Sequence, residues 1–380
     1  MTTSAVSSRA PAVRVIERSL ASTGIDYRGA LVIAAVSGGA DSTFLACSLV
    51  ALQRRFGFHI AIAHVNHGWR PIDAAEDARF VARLGRRLGL PVHIQVLAGN
   101  PGGTALSGGP EASARDGRYQ FLAGLAESTG SAAIMTGHTA DDQVETALLA
   151  LLRGRGPGSV AGMATVSHVP RSSVSTSATF HGNGVPEVEW SSSGPPSSAQ
   201  VALVRPMLGL RAMVVRKALR DADIDWREDM TNLELRHPRN RLRQRVLPDM
   251  EAISPGFRNA FLRSLAITRE MAEIASHVVE AACQNWNPVD HGFQMPIQTL
   301  TGYSPFVQTA LIRMALVRLG ADPDRIESPH LRAATAMISR GRGGTRLAIA
   351  NGFQIAVSKG TAAVTRPGPI PVPIDGSEWP

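Results

Sequence analysis

A glycine-rich loop near the front of the chain carries the first side chains that could do chemistry. The loop VSGGADS follows the apolar run LVIAA and precedes the helical pattern TFLACSLVAL. Gly38 and Gly39 would let backbone N–H groups converge at the start of that helix, where the helix dipole favours anions. The loop has neither the lysine of the common nucleotide triphosphatase motif nor the spacing of the dinucleotide motif. The hydroxyls of Ser37 and Ser42 and the carboxylate of Asp41 therefore suggest phosphate bound with Mg²⁺, while a simple turn with Asp41 or Ser42 capping the helix stays open.

Two more clusters of polar side chains follow strand-like runs of the sequence. The segments HVNHGWR and GHTADDQVET supply these candidates: His64, Asn66, His67, Arg70, His138, Asp141, Asp142 and Glu145. The three carboxylates of the second segment can share one face near the start of a helix. Such clustered charge is costly without a cation, which again indicates Mg²⁺. Two alternatives stay open: a zinc site made from the histidines and Asp141, and ordinary helix capping.

Arginine-rich segments supply candidates for binding a polyanion. The pattern EASARDGRYQFL places Arg115 on one side of a helix with Arg118 and Tyr119, which fits either a phosphate site or a surface ion-pair helix. Further on, PRNRLRQR lies in a stretch that holds five arginines between Arg236 and Arg245. A run this dense is either an RNA-backbone contact or a solvated basic helix face.

The composition narrows the class of protein. The chain has 380 residues and a formal net charge of +8, which favours a polyanionic partner. No run reaches the length of a membrane span, and the first residues lack the apolar core of a signal peptide, so we expect a cytoplasmic protein without a membrane partner. The two cysteines, Cys47 and Cys283, are far apart in apolar patterns and predict buried free thiols rather than a disulfide framework.

The elements that must position these residues alternate between strand and helix. Strand-like runs such as LVIAA, HIAIAHV and AAIMT are separated by helical patterns. This alternation predicts an α/β fold with a doubly wound, mainly parallel sheet, whose ligand site lies beyond the carboxyl ends of the strands. We expect a catalytic domain at 1–250, with a Ser/Gly/Pro-rich insertion or disordered loop at 164–202. A smaller helical or α+β domain is expected at 251–366, followed by a tail at 367–380.

The order of these motifs resembles the tRNA(Ile)-lysidine synthetase family of the N-type ATP pyrophosphatase, or PP-loop, superfamily. The resemblance rests on SGGADS, HVNHGWR, E-x-x-x-R-x-x-R-Y, GHTADDQVET, RPML, WREDMTN and PRNRLRQRVLP, which lie between Val32 and Pro248. It implies the PP-loop ATPase fold, also described as adenine nucleotide alpha hydrolase-like. It also implies adenylation of the wobble cytidine of the CAU-anticodon isoleucine tRNA, followed by attack of L-lysine. ATP and Mg²⁺ would be the cofactors, with no zinc or iron–sulfur cluster, and a homodimer is an expected assembly.

The resemblance also implies roles for individual residues. The ATP-binding set is Ser37, Gly38, Gly39, Asp41, Ser42, His64, Asn66 and His67. The catalytic set is Asp41, His138, Asp142, Glu145 and Arg115, and the Mg²⁺ ligands are Asp41 and Asp141. The set for tRNA or lysine is Arg70, Arg205, Asp229, Asn232, Arg239, Asn240 and Arg243.

Three other functions compete with this one. A tRNA thiolase of the same superfamily would need paired cysteines or a cysteine-bound cluster, and an amidotransferase would need an ammonia-supplying domain with a nucleophilic cysteine. The third alternative is a noncatalytic RNA-binding relative that kept the fold and the basic surface. The acidic residues Asp41, Asp141, Asp142 and Glu145 argue against loss of catalysis.

Overall fold

The protein is described by a computed structural model. The structure describes residues 6–66, 71–96, 110–169, 201–228, 237–321, 326, 328–349 and 352–367, with the backbone alone at 71–74 and 110–114. The chain divides into two compact units, Met1–Ala266 and Ile267–Pro380. The boundary expected between 250 and 251 lies inside the first of these units.

A six-stranded sheet forms the centre of the first unit. Its strands are β1 (Leu31–Ala35), β2 (His59–Asn66), β3 (Val92–Val96), β4 (Ala133–Thr136), β5 (Val166–Val169) and β6 (Val201–Val204). They lie in the order β3-β2-β1-β4-β6-β5. Neighbouring strands are parallel except for the edge strand β5, which is antiparallel to β6. The prediction of a doubly wound, mainly parallel sheet is therefore confirmed.

Helices connect these strands and cover the sheet. In the first part of the chain they are α1 (Pro11–Ala21), α2 (Ala40–Phe56), α3 (Pro71–Leu88), α4 (Pro110–Thr129), α5 (Ala140–Leu152), α6 (Pro157–Val160), α7 (Ala212–Asp221), α8 (Pro238–Arg241) and α9 (Leu247–Ile253). A π-helical segment, Leu242–Val246, joins α8 to α9. Residues of α1, α2 and α7 pack with β1 and β2 in one large apolar core. Burial of this surface holds α2, and with it the loop that precedes α2, against the sheet.

The second unit is built around an antiparallel sheet. Its strands are β7 (Asn287–Val289), β8 (Gly292–Pro296), β9 (Thr345–Ala348), β10 (Gln354–Ser358) and β11 (Thr361–Thr365), in the order β7-β8-β11-β10-β9. The helices are α10 (Phe257–Cys283), which begins before the division between the units, α11 (Ile297–Thr301), α12 (Pro305–Arg318) and α13 (Ser328–Ser339). An apolar core joins these helices to the sheet. The expected α+β character of this region agrees with these elements.

Two elements differ from the sequence-based expectation. The Ser/Gly/Pro-rich segment expected to be irregular at 164–202 contains β5 and the start of β6, because the alternating residues at 166–169 pair with 201–204. The residues between these strands lie outside the described part of the chain. The hairpin of β7 and β8 was not predicted, because β7 is short and contains Pro288.

Two further expectations concern the cysteines and the membrane. Cys47 and Cys283 are both buried and free, as predicted. Within the described ranges, no helix combines the length and the apolar character that a bilayer span requires.

Candidate functional site

The glycine-rich loop lies at the point where the strand order of the main sheet reverses. β1 has β2 on one side and β4 on the other, and both neighbours are parallel to it. The chain leaves the carboxyl end of β1, passes through the loop at 36–39 and enters α2. Open α/β sheets bind ligands in the crevice outside the carboxyl ends of the strands at such a switch point. The loop therefore occupies the position that the doubly wound fold offers to a ligand.

The conformation of the loop depends on one of its two glycines. Gly38 has a φ of 97°, which side-chain-bearing residues rarely adopt, whereas the φ of Gly39 is −69°. The Ser42 hydroxyl accepts a hydrogen bond from the Ser37 N–H at 3.1 Å, and the two hydroxyl oxygens are also 3.1 Å apart. Gly39 is the N-cap of α2 and supplies no side-chain cap, so Asp41 and Ser42 do not cap this helix. The first N–H groups of α2 thus have no acceptor within the helix and can bind an anion.

Asp41 is the carboxylate at the centre of the site. Its Oδ1 atom is buried and has no hydrogen-bond partner within the described residues. Burial is the main cause that raises the pKa of Asp41 to about 6, and the charge of Asp142 raises it further, while Arg216 and Arg243 lower it. A carboxylate oxygen that is buried without a partner, beside serine hydroxyls, is a donor of the kind that Mg²⁺ prefers. The residues present therefore fit a magnesium ion at Asp41.

Gly137, which follows β4, lies directly against the start of α2. A Cβ atom at this position would be 3.0 Å from the carbonyl carbon and oxygen of Asp41 and from the backbone nitrogen of Ser42. These are backbone atoms, so no side-chain rotation could relieve the contact. Only glycine at position 137 allows β4 and the loop to approach this closely.

We expect Gly137→Ala to weaken nucleotide binding about tenfold or more and to destabilise the protein by about 1–3 kcal/mol, because the start of α2 must move. The measurement is titration with a nucleotide analogue, together with thermal unfolding. Gly158→Ala is the control, because a Cβ atom there would contact nothing within 4 Å. Equal nucleotide affinities of the two variants would contradict this account.

Two of the three histidines predicted for the site lie in the described part of the chain: His64 is buried and His138 is half-buried. His64 Nδ1 lies 2.8 Å from the carbonyl oxygen of Val36, while its Nε2 atom is buried and has no partner among the described residues. Burial is the main cause that lowers the pKa of His64. His138 Nδ1 lies 2.8 Å from Thr136 Oγ1. Burial lowers the pKa of His138 to about 4, although the charge of Asp142 opposes this shift.

Both aspartates at the start of α5 have partners within the chain. Asp142 Oδ2 accepts hydrogen bonds from the N–H and the hydroxyl of Thr139, at 2.8 and 2.9 Å, so this carboxylate caps α5. Asp141 binds the guanidinium groups of Arg211 and Arg258, at 3.1 and 2.8 Å, and also accepts from the backbone N–H of Ala212. These contacts join α5 to α7 and α10. A carboxylate engaged in this way is a poor metal ligand, so the predicted magnesium role of Asp141 has no geometric support here.

The Glu145 carboxylate forms ion pairs with two half-exposed arginines of the PRNRLRQR segment. Its side chain is fully buried, and its Oε1 atom accepts from Arg243 Nε at 2.7 Å. Its Oε2 atom accepts from Arg239 Nε and from a second nitrogen of Arg243, both at 3.0 Å. Leu242 and Leu247 pack with residues of α5 in a small apolar cluster beside these bonds. Glu145 therefore attaches the arginine-rich segment to α5.

A second group of basic residues acts on the charge of His138. Arg205 is 7% exposed and donates to the carbonyl oxygen of Ala164 and to the Ser167 hydroxyl, both at 2.9 Å. Its Nε atom is buried and has no hydrogen-bond partner in the described part of the chain. The Arg115 guanidinium lies 5.3 Å from the centre of the Tyr119 ring. The charges of Arg205, Arg239 and Arg115 all lower the pKa of His138, which indicates that they lie near it.

The remaining predicted residues fall into two groups. Asn66 ends β2 and Asn240 lies in α8, and each has an interaction with the rest of the chain. The following predicted residues lie outside the described part of the chain: His67, Arg70, Asp229 and Asn232. The alternative zinc site included His67, which is among these residues. Among the described residues, no group of three or more histidine, cysteine, aspartate or glutamate side chains could hold a metal ion.

Several residues near the site were not predicted from the sequence. Gly137, Arg211, Arg216, Arg227 and Arg258 contact the predicted residues or act on their charges. Gly137 had a detectable signal, because it follows a strand and precedes a polar cluster. The arginines had none, because their partners are far away in the sequence.

Comparison with known proteins agrees with this geometry. A family profile described as the PP-loop domain matches residues 13–250. The fold and the loop therefore define a PP-loop protein. Curated tRNA(Ile)-lysidine synthases resemble the chain over most of its length: that of Polaromonas naphthalenivorans is 33% identical and that of Salinispora arenicola 30%. These matches cover 78% and 95% of this chain, and 78% and 98% of the respective relatives. The chain belongs to the tRNA(Ile)-lysidine synthase family.

The lengths of the relatives differ. The match to the tRNA(Ile)-lysidine synthase of Dehalococcoides mccartyi, at 32% identity, covers 69% of this chain and 51% of that relative. The chain thus spans about half the length of that protein. A solved structure, the U34-tRNA thiolase NcsA from Methanococcus maripaludis with its 4Fe-4S cluster, matches with a TM-score of 0.50 and 13% identity. That match covers 68% of this chain and 78% of NcsA, and it is a likeness of fold alone.

Proposed function

We propose that the chain is an ATP-dependent ligase that forms lysidine in tRNA. Its substrates would be ATP, L-lysine and the isoleucine tRNA with a CAU anticodon, and its product would read AUA instead of AUG. The observation that carries the proposal is the phosphate-type loop at the switch point of the sheet, with the unpaired carboxylate oxygen of Asp41 beside it. Membership of the tRNA(Ile)-lysidine synthase family supports the choice of substrates.

The proposed reaction has two steps. In the first, the C2 oxygen of the wobble cytidine attacks the α-phosphorus of ATP, the bond to the β-phosphate breaks, and pyrophosphate leaves. In the second, the amine of lysine attacks C2, the bond between C2 and oxygen breaks, AMP leaves with that oxygen, and the amine loses a proton. Neither step needs a covalent enzyme intermediate, so positioning and charge neutralisation provide most of the catalysis. This chemistry explains why the loop has no lysine poised over the outer phosphates.

The residues of the loop have separate tasks in this proposal. The N–H groups at the start of α2 and the hydroxyls of Ser37 and Ser42 would bind the phosphates. Asp41 would hold the magnesium ion, which supplies charge neutralisation to the phosphates when it is bound. Asp141 is left out of this task, because two arginines already bind its carboxylate.

The basic residues that act on His138 would receive the RNA. Arg115, Arg205 and Arg239 lie near His138, and the Nε atom of Arg205 is buried without an acceptor in the described residues. Positive groups of this kind suit the phosphates or the activated base of the anticodon. The uncharged His138 would provide a hydrogen bond rather than a charge. A cytoplasmic location follows from the proposed substrates, and the homodimer stays a prediction.

The test is incorporation of labelled lysine into two transcripts that both have a CAU anticodon. One is an isoleucine tRNA and the other an elongator methionine tRNA, each with and without ATP and Mg²⁺. We expect ATP-dependent labelling of the isoleucine transcript alone. Labelling of neither transcript, with AMP and pyrophosphate formed on another RNA or amine, would overturn the substrate and leave only the superfamily chemistry.

A further inference from the structure

The segment that follows α7 makes a direct contact with the phosphate-binding loop. The backbone N–H of Arg227 donates to the carbonyl oxygen of Gly38 at 2.9 Å. The Thr43 hydroxyl donates to the same oxygen at 3.3 Å. Because a peptide group is planar and trans, fixing this carbonyl also fixes the direction of the Gly39 N–H, which donates to Ser37 Oγ at 3.4 Å and lies in the loop proposed to bind phosphate. Arg227 thus acts on the loop that would touch the nucleotide.

The side chain of Arg227 also forms ion pairs with two residues of α3. Its Nε atom donates to Asp77 Oδ1 at 2.9 Å, and a terminal nitrogen binds Glu76 Oε2 at 2.9 Å. A Cβ atom at Gly38 would lie 3.6 Å from the Cγ atom of Arg227 and 3.4 Å from Phe80 of α3. The Phe80 side chain and the stem of Arg227 therefore lie against Gly38, the loop residue whose φ of 97° sets the turn.

We propose that Arg227 is a positioning residue for the nucleotide: its ion pairs with Glu76 and Asp77 hold its backbone N–H against Gly38 and so keep the phosphate-binding loop in its binding conformation. The inference rests on the proposed function for the identity of the nucleotide. It assigns Arg227 no contact with substrate, and it predicts an effect on nucleotide affinity rather than on the chemical step.

The ion pairs of Arg227 are half-exposed, so we expect their removal to cause only a moderate loss of nucleotide affinity. The side chain of Arg227 is 34% exposed, so each pair alone contributes modestly to binding. Arg227→Met removes both pairs and keeps the backbone N–H. We expect this variant to weaken binding of a non-hydrolysable ATP analogue with Mg²⁺ about three- to tenfold, as measured by calorimetry. In the lysine incorporation assay, the KM for ATP should rise by a similar factor while kcat stays within about twofold.

Three companion variants separate positioning from a general structural role. Arg227→Lys keeps one charge and should recover most of the affinity. Asp77→Asn should also weaken nucleotide binding. The double variant with Arg227→Met should bind the ATP analogue as well as the single variant that has the lower affinity, because both substitutions remove the same ion pair. Arg28→Met is the control, because it removes an exposed ion pair with Asp26 at a site that does not contact the loop.

Two results would overturn the inference: unchanged nucleotide affinity in Arg227→Met, or an equal loss in Arg28→Met. Strict additivity of Arg227→Met and Asp77→Asn would also contradict it. Failure of the proposed function looks different. The wild-type protein would then bind the ATP analogue, with the expected differences among the variants, yet label no tRNA with lysine.

Discussion

Asp41→Asn is expected to abolish lysidine formation and, at the same time, to raise the melting temperature of the nucleotide-free protein. Loss of the carboxylate removes the proposed magnesium ligand, so we expect the rate of lysine incorporation to fall at least a hundredfold. The gain in stability has a different origin. Burial raises the pKa of Asp41 from 3.8 to about 6, so the folded protein carries a penalty for the charged form at neutral pH.

The sign of the pH dependence follows from this shift. Between about pH 4 and pH 6 the folded state holds the proton of Asp41 more tightly than the unfolded state, so the stability contributed by this group is lost as the pH rises. Asp41→Asn should therefore be more stable than wild type by about 1–3 kcal/mol at pH 8, and this advantage should shrink toward pH 5. Thermal unfolding at both pH values measures it.

A matched control separates this effect from a general effect of removing acids. Asp26→Asn removes an exposed carboxylate whose pKa is lowered by its hydrogen bond to Arg28, so it should not stabilise the protein. Retained lysidine formation in Asp41→Asn would contradict the assignment of the loop. Unchanged stability of Asp41→Asn at pH 8 would contradict the predicted penalty for burying the Asp41 charge.

Glu145→Gln is expected to be the most destabilising change at the site. The Glu145 side chain is fully buried, and Arg239 and Arg243, each 39% exposed, depend on it. Removing the buried carboxylate takes the acceptor from two half-exposed guanidinium groups and leaves a buried amide in its place, so we expect the free energy of unfolding to fall by about 2–4 kcal/mol. Denaturant unfolding measures this loss. Affinity for tRNA should fall as well, because the arginine-rich segment loses its attachment to α5.

The control for Glu145 is an ion pair closer to the surface. Glu17 pairs with Arg55, whose side chain is 70% exposed, so Glu17→Gln should cost less than about 1 kcal/mol. A competing role for the Glu145 carboxylate is recognition of the lysine ammonium group. That role predicts a higher KM for lysine without loss of stability, and such a result would contradict the anchoring role.

The sequence predicts the core of the site because its elements are contiguous. The apolar residues of β1, the glycine pair and the start of α2 follow one another within about a dozen positions, and each has a local physical reason. The sequence also predicts the edge of the sheet at which the polar clusters meet, because parallel strands place their carboxyl ends together. These inferences need no knowledge of distant contacts.

The partners of the acidic residues could not be predicted in this way. Asp141 binds Arg211 and Arg258, and Glu145 binds Arg239 and Arg243, all of which are far away along the chain. The sequence shows a cluster of like charge that requires positive charge, and magnesium and arginine both satisfy that requirement. Only the three-dimensional structure assigns arginine to Asp141 and Glu145 while leaving an oxygen of Asp41 unpaired.

The pairing of β5 with β6 determines where the chain can accept added residues. Val169 and Val201 are partners in that ladder, so the intervening segment leaves and re-enters the sheet at adjacent points. Closing a longer loop costs only about 0.6 kcal/mol for each doubling of its length. The ladder lies at the edge of the sheet, and Val201 opens β6 at the amino end of the parallel strands, opposite the catalytic edge. A longer connection between Val169 and Val201 should therefore cost little stability, and the same junction is a natural place to introduce a fluorescent label or affinity tag.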